Sequence, residues 1–281
     1  MAKSKRRLRQ NYALKKGLPP GTLHYIGADK NFDIHVEQIT YNEQEFHRKE
    51  NIKIEALMPD DVHAPVRWIN ITGIHEYELI SQVGKTFQIH PLVLEDIMHT
   101  EQRPKLEEYD NYIYVVLRMI SPNENNGDIR SEQVSLLIFQ NTVITFQENS
   151  EDIFDNLRDR IKKGAGKIRK SSAGYLAYCL LDTIVDYYFV VLEQIGEKLE
   201  DAESKLIEQQ EQLELNLLHH VKRELIFLRK SIWPLREVIN YLSKSETRII
   251  SNDTSVYFRD VYDHCIHMLD TLESYRDLTS G

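Results

Sequence analysis

Val134-Ser135-Leu136-Leu137-Ile138-Phe139-Gln140-Asn141-Thr142-Val143-Ile144-Thr145-Phe146 divides the chain into two kinds of sequence. Val134 to Phe139 is apolar at nearly every position, as a strand must be when both its faces are covered. Gln140-Asn141 is a short polar connection, and Val143 to Phe146 follows it, so the stretch reads as a hairpin. Upstream, Tyr112 to Ile120 has the same near-continuous apolar character and predicts another central strand. Val66-Arg67-Trp68-Ile69-Asn70-Ile71, ended by Gly73, predicts a further one, and Phe32, Ile34 and Val36 alternate as a half-buried strand does. Glu76 to Phe87 and Pro91 to His99 have helical spacing. Pro91 suits a first helical turn, where its missing N–H has no partner to lose. The expected fold class is α+β or α/β, a mixed sheet with helices packed on it.

After Phe146 only helix signals remain. Asp152 to Lys163 is amphipathic. Ser171 or Ser172 is placed to cap a long helix running to about Gln210. A second helix runs from about Gln212 to Ser243, and Pro234 inside it predicts a kink or a break. Ser251-Asn252-Asp253-Thr254 opens a third helix, still running at Asp277. The expected organisation is a basic flexible arm over 1–16 and an α/β domain over 17–165, entered through Gly17-Leu18-Pro19-Pro20-Gly21. Two long helices over 170–248 and a last helix over 252–281 complete it. Tyr175 to Leu192 is about a membrane span long but carries Asp182 and Asp186 near its middle. Each would cost about 2.5–3.5 kcal/mol at a bilayer centre. A partly buried helix of a soluble protein is the better reading.

The 281 residues are 41% hydrophobic and 28% charged, enough for a packed core, with a formal net charge of −9. That balance excludes a general nucleic-acid binder, which needs a basic surface. It suits a protein that meets cations, and equally serves ordinary solubility. Cys179 and Cys265 sit in apolar helical stretches with no CxxC or Cys/His spacing, and read as reduced core thiols. Lys3, Lys5, Arg6, Arg7 and Arg9 have no apolar run behind them, so the N-terminus does not read as a secretory signal. GxSxG, GxxxxGK[ST] and GxGxxG are all missing from the sequence, and no catalytic set is expected.

Three groups of residues stand out, two as possible cation sites and Glu95-Asp96 as a pair with one carboxylate toward the core and one toward a partner, or as plain helix surface charge. Asp182 and Asp186 lie four apart in an apolar helix, on one face, where like charges repel unless something compensates. They read either as a solvent-facing or arginine-paired set, or as a cation site. Asp260, Asp263, His264 and His267 fall on one stripe of the last helix, while Val261, Cys265, Met268 and Leu272 form a separate apolar stripe. The polar stripe reads either as a solvated helix face or as ligands, for zinc through histidine or a hard cation through carboxylate. Glu95-Asp96 closes the apolar turn Leu92-Val93-Leu94, its two carboxylates pointing different ways. His90, His99, His219 and His220 read as surface or core residues rather than ligands.

Several stretches together carry a family resemblance. Lys15-Lys16-Gly17-Leu18-Pro19-Pro20-Gly21-Thr22-Leu23 resembles the N-terminal entry of CorA magnesium transporters. Trp68-Ile69-Asn70-Ile71-Thr72-Gly73-Ile74-His75, Ile89-His90-Pro91-Leu92-Val93-Leu94-Glu95-Asp96-Ile97 and Gln102-Arg103-Pro104-Lys105 look like that family's most recognisable soluble motifs. Ser131-Glu132-Gln133-Val134, Ile232-Trp233-Pro234-Leu235-Arg236-Glu237 and Tyr257-Phe258-Arg259-Asp260-Val261-Tyr262-Asp263-His264 continue it, so the resemblance runs from about residue 15 to 281.

The resemblance implies a homopentamer on the cytoplasmic side of the cell membrane, with the last helix as the start of a stalk leading to a pore. It implies regulatory Mg2+ between neighbouring copies, with Co2+ or Ca2+ able to stand in, and Mg2+, Co2+ or Ni2+ as cargo. The implied ligands are Asp96 and Asp260, with Glu95 and Asp182 at a second position and Asp186, Asp263 and His264 around them. The family's Gly-Met-Asn signature and its membrane helices are missing from these residues, so the expectation is a chain that stops within the stalk. A zinc-transporting relative, a helical scaffold and a metal-dependent hydrolase are the competing readings. His264 and His267 favour the first of these, and the acidic run from Glu193 to Glu214 the second.

Overall fold

The computed structural model describes residues 17, 19–28, 30, 32–61, 63–123, 128–206, 211–245 and 247–279. The expected basic arm, residues 1–16, lies outside the described residues. Seven strands form one sheet: β1 (His35–Tyr41), β2 (Phe46–Lys49), β3 (Val66–Thr72), β4 (Lys105–Glu108), β5 (Ile113–Pro122), β6 (Ile129–Ile138) and β7 (Thr142–Gln147). Their order is β2-β1-β3-β7-β6-β5-β4. The central β3–β7 pair is parallel and every other pair antiparallel, so the sheet is mixed as expected. The β6–β7 hairpin closes through Gln140-Asn141, with Phe139 N donating to Thr142 O at 2.8 Å.

The continuous apolar runs are explained by two buried layers. Along each strand alternate side chains point to opposite faces. Trp68, Val115, Leu117, Val134, Leu136 and Val143 face one layer, and Ile69, Ile71, Tyr114, Val116, Leu137 and Ile144 the other. Two short helices, α1 (Tyr77–Phe87) and α2 (Pro91–Ile97), cover the second face. The first face is covered by α3 (Asp155–Lys163) and three long helices, α4 (Ala173–Leu206), α5 (Glu211–Lys244) and α6 (Asn252–Leu278). The Ser172 carbonyl accepts the first helical bond of α4, from Leu176 N at 3.2 Å. Ala173–Ala202 is long and apolar enough to cross a membrane by length and composition, but 67% of its most apolar window is buried. It packs against β5, α5 and α6 as a core helix does.

Two expectations need correcting. Of the two outcomes expected at Pro234, a kink or a break, the break does not occur: α5 runs unbroken from Glu211 to Lys244. Ile232, Leu235, Val238 and Ile239 on either side are all buried in the shared core, and that packing holds the helix across the lost hydrogen bond. Phe32 and Ile34 precede the first strand, which begins at His35. The edge strands β2 and β4, with Phe46-His47-Arg48-Lys49 and Lys105-Leu106-Glu107-Glu108, carry no apolar periodicity to betray them. Charged, short edges of this kind discourage further strand pairing.

Candidate functional site

The residues singled out from the sequence fall on opposite faces of the sheet. Glu95 and Asp96 sit on α2, a short helix started by Pro91, with the His90 ring accepting from Leu92 N at 3.3 Å. Asp96 has both oxygens engaged: Gln102 Nε2 donates to Oδ1 at 2.6 Å and Lys105 Nζ to Oδ2 at 2.6 Å. Lys105 also reaches Glu107 at 2.6 Å. Burial alone would push this ammonium down, but its hydrogen bonds to Asp96 and Glu107 outweigh that and raise it. Glu95 turns away and accepts from the backbone N–H of Gly21. The two adjacent carboxylates do point differently, one to the β4 edge and one to the entry turn.

Asp182 and Asp186 sit on α4, against α6. Tyr178 Oη donates to Asp182 Oδ2 at 3.2 Å. Burial raises the Asp182 carboxyl above its usual range, and Asp186 and Asp260 add to the rise while Tyr178 and His264 oppose it. Burial also raises Asp186, with His264 and Arg160 opposing. On α6, His264 Nε2 stands 3.9 Å from Asp260 Oδ2, and His264 Nδ1 is buried without a hydrogen bond among the described residues. The Phe189 ring packs against both His264 and His267, at 5.6 and 5.8 Å between centroids.

The fold thus brings together two groups that the sequence presents separately: Asp182 and Asp186 of α4, and Asp260 and His264 of α6. Their charges act on one another across the helix interface. Asp263 is turned elsewhere, into a groove with Asn240, Lys244 and Arg259 between α5 and α6. The polar stripe is wide enough that α6 offers its two edges to different neighbours. Within one chain Asp96 and Asp260 lie on opposite sides of the sheet, with α2 and α6 respectively. Lys105 and Gln102, which compensate Asp96, lie in the quoted Gln102-Arg103-Pro104-Lys105 motif, but only the β4–β5 pairing shows where they point. Asp128, just before β6, forms a further cluster with His220 and Glu224 of α5, with no contiguous sequence signal.

An apolar groove runs between α5 and α6, lined by Leu225, Ile226, Trp233, Leu269 and Leu272. The sequence profile of the family described as CorA-like Mg2+ transporter protein matches residues 64–281. The cobalt/magnesium transport protein CorA of Thermotoga maritima is 45% identical over 267 residues, covering 95% of this chain and 76% of that protein. The chain belongs to the CorA-like family. Its fold agrees with that of the soluble domain of CorA from Methanocaldococcus jannaschii, with a TM-score of 0.72 at 18% identity, covering 87% of this chain and 93% of that one. A similar agreement, TM-score 0.69 at 16% identity, covers 89% of this chain and 95% of the cytoplasmic domain of ZntB from Vibrio parahaemolyticus. The mixed sheet with long helices is therefore the fold of CorA-like soluble domains. The sequence relatives are named as transporters, not enzymes.

Proposed function

We propose that this chain is the cytoplasmic, cation-sensing part of a CorA-type assembly that carries Mg2+, with Co2+ or Ni2+ as further cargo. Five copies surround one pore, and divalent cations bound between neighbouring copies hold it closed. The observation that carries this reading is the α4–α6 carboxylate set. Asp182 is raised by burial and by the neighbouring Asp186 and Asp260. A group of anions brought together without full compensation is a site to which a dication adds favourable energy.

Asp96 complements it from the other side of the sheet, so that the Asp96 of one copy meets the Asp260 of the next. Mg2+ dehydrates reluctantly, and one or two carboxylates reached through water suffice for it. Such a site is weak, as the sensing of a plentiful ion requires, and binding becomes interface stability by mass action. Lys105 pairs with Asp96 at 2.6 Å, so in this reading its ammonium competes with the dication for that carboxylate. Glu95, Asp182, Asp186 and His264 furnish a neighbouring second position, and Asp263 lies beyond it. The imidazoles His264 and His267 beside these carboxylates keep a zinc-transporting role as the second reading.

The test is made in the intact transporter. Asp96→Asn and Asp260→Asn should each weaken closure by internal Mg2+ and lower Mg2+ protection against proteolysis by about tenfold in the midpoint concentration, the effect of about 1.4 kcal/mol. Lys105→Gln, which removes the competing ammonium, should move the midpoint the other way. Wild-type protection in both aspartate variants would overturn the reading. A shift with Zn2+ but none with Mg2+ would select the zinc role.

A further inference from the structure

We propose that Asp128, His220 and Glu224 form a separate binding site for one transition-metal dication of the Zn2+ or Co2+ class. His220 and Glu224 lie four residues apart on α5, so both side chains leave the same face one turn apart. Asp128 is set by the β5–β6 hairpin: its carbonyl accepts from Asn123 N at 2.8 Å, directly before the Pro122–Ile129 pair of the ladder. The turn end of the β5–β6 hairpin and α5 meet at these three residues. His220 Nε2 is 3.0 Å from Asp128 Oδ1 and 3.2 Å from Glu224 Oε1. One ligand atom from each residue lies within 4.8 Å of the others.

Two carboxylate oxygens converge on one ring nitrogen, which carries at most one proton. A single proton cannot lie in line with both. Glu224 makes the mismatch costly, because its side chain is only 7% exposed and its Oε1 has no hydrogen-bond partner among the described residues. A dication held between the imidazole and the carboxylates would satisfy Glu224 Oε1, which Lys198, bound to the other oxygen, leaves without a hydrogen bond among the described residues. Zinc bonds to nitrogen and carboxylate oxygen are about 2.0–2.2 Å long, which puts neighbouring ligand atoms about 2.8–3.6 Å apart at octahedral or tetrahedral angles. The two separations from His220 fall in that interval, and with all three ligand atoms within 4.8 Å of one another a modest closing of the two carboxylates completes the site.

The donor set selects the ion. An imidazole nitrogen with two carboxylates suits Zn2+, Co2+ or Ni2+, whereas Mg2+ takes oxygen and keeps its water. Lys198 stands 3.3 Å from Glu224 Oε2, the oxygen turned away from the histidine. Its charge weakens the site without occupying the ligand position. A bound ion would clip the turn end of the β5–β6 hairpin to the first half of α5. The site shares no residue with the Asp96 and Asp260 positions, so it stands or falls independently of them.

The chain is titrated with Co2+ in excess Mg2+, followed by calorimetry and by the visible absorption of the bound ion. Wild type should bind Co2+ at this site with a nitrogen-ligated spectrum, and Zn2+ should displace it. His220→Gln and Glu224→Gln should each lose at least tenfold in affinity, whereas His47→Gln, at an exposed His–Glu pair, should not. Lys198→Gln should bind several-fold tighter, which a variant damaged in folding would not do. Equal Co2+ affinity in wild type and His220→Gln, no tightening in Lys198→Gln, or a Mg2+ competition that abolishes Co2+ binding at comparable concentration would each overturn the proposal.

Discussion

Glu132 shows how much chemistry a single residue can hide in a strand. It lies on β6, only 3% exposed, and its Oε1 has no hydrogen bond among the described residues. Asn149 donates to its other oxygen. Burial, and then the neighbouring carboxylate of Glu148, push its carboxyl up to about 8. An acid raised in the folded state contributes stability that is complete below the unfolded value, about 4.3. That contribution falls as pH rises and is gone once pH passes the folded value. Glu132→Gln removes this dependence. In urea unfolding the variant should be no more stable than wild type at pH 5 and more stable at pH 8.5. Parallel stability curves across that interval would show that Glu132 is ionised throughout. None of this is legible in Ser131-Glu132-Gln133-Val134, because the glutamate's environment comes from β7 and the turn after it. The same holds for Asp96, whose lysine partner is fixed by an edge strand with one apolar residue.

At the scale of elements, legibility follows burial on both faces. β3, β5, β6 and β7 lie inside two apolar layers, and their sequences advertise it. β2 and β4 take their conformation from a neighbour's unpaired backbone, and four mostly polar residues cannot announce that. The candidate site shows the same division. The α4 and α6 residues were each recognisable by spacing, but their meeting depends on how two helices cross, which no local pattern encodes. α5 makes the point energetically. Pro234 lacks the N–H that would bond to Lys230, and proline in a helix interior costs about 3 kcal/mol relative to alanine. Tertiary packing outweighs that local cost, because the apolar residues around it are buried against the sheet and α6. Pro234→Ala should therefore stabilise the chain by about 1–3 kcal/mol, read as a shift in the urea midpoint at unchanged slope. A loss of stability would mean that the missing hydrogen bond shapes the helix in a way the packing requires.

At the scale of the molecule, the charge and the apolar surface pull in different directions. A net charge of −9 makes copies of the chain repel, and salt screens that repulsion while bound dications reverse it locally. Against it stand exposed apolar side chains on the two outer long helices: Ile226 is 56% exposed and Trp233 48% on α5, and Val256 55% and Leu278 57% on α6. The Arg236 guanidinium lies 4.4 Å from the Trp233 ring centroid, a contact that holds the indole in place while leaving much of it open. Tryptophan seated at the centre of an interface is among the residues whose removal costs most, commonly 2 kcal/mol or more, roughly a 30-fold change in dissociation constant. If these helices meet neighbouring copies in the proposed ring, assembly should need both the apolar contact and the dication. Light scattering on the chain at increasing Mg2+ should then show association that Trp233→Glu weakens by about that factor, with helical circular dichroism unchanged. Asp260→Asn should weaken the Mg2+ dependence but leave association at high salt, where screening replaces the cation. An equal mass for wild type and Trp233→Glu at every Mg2+ concentration would remove this face from the assembly and leave the ring to be held by the carboxylates alone.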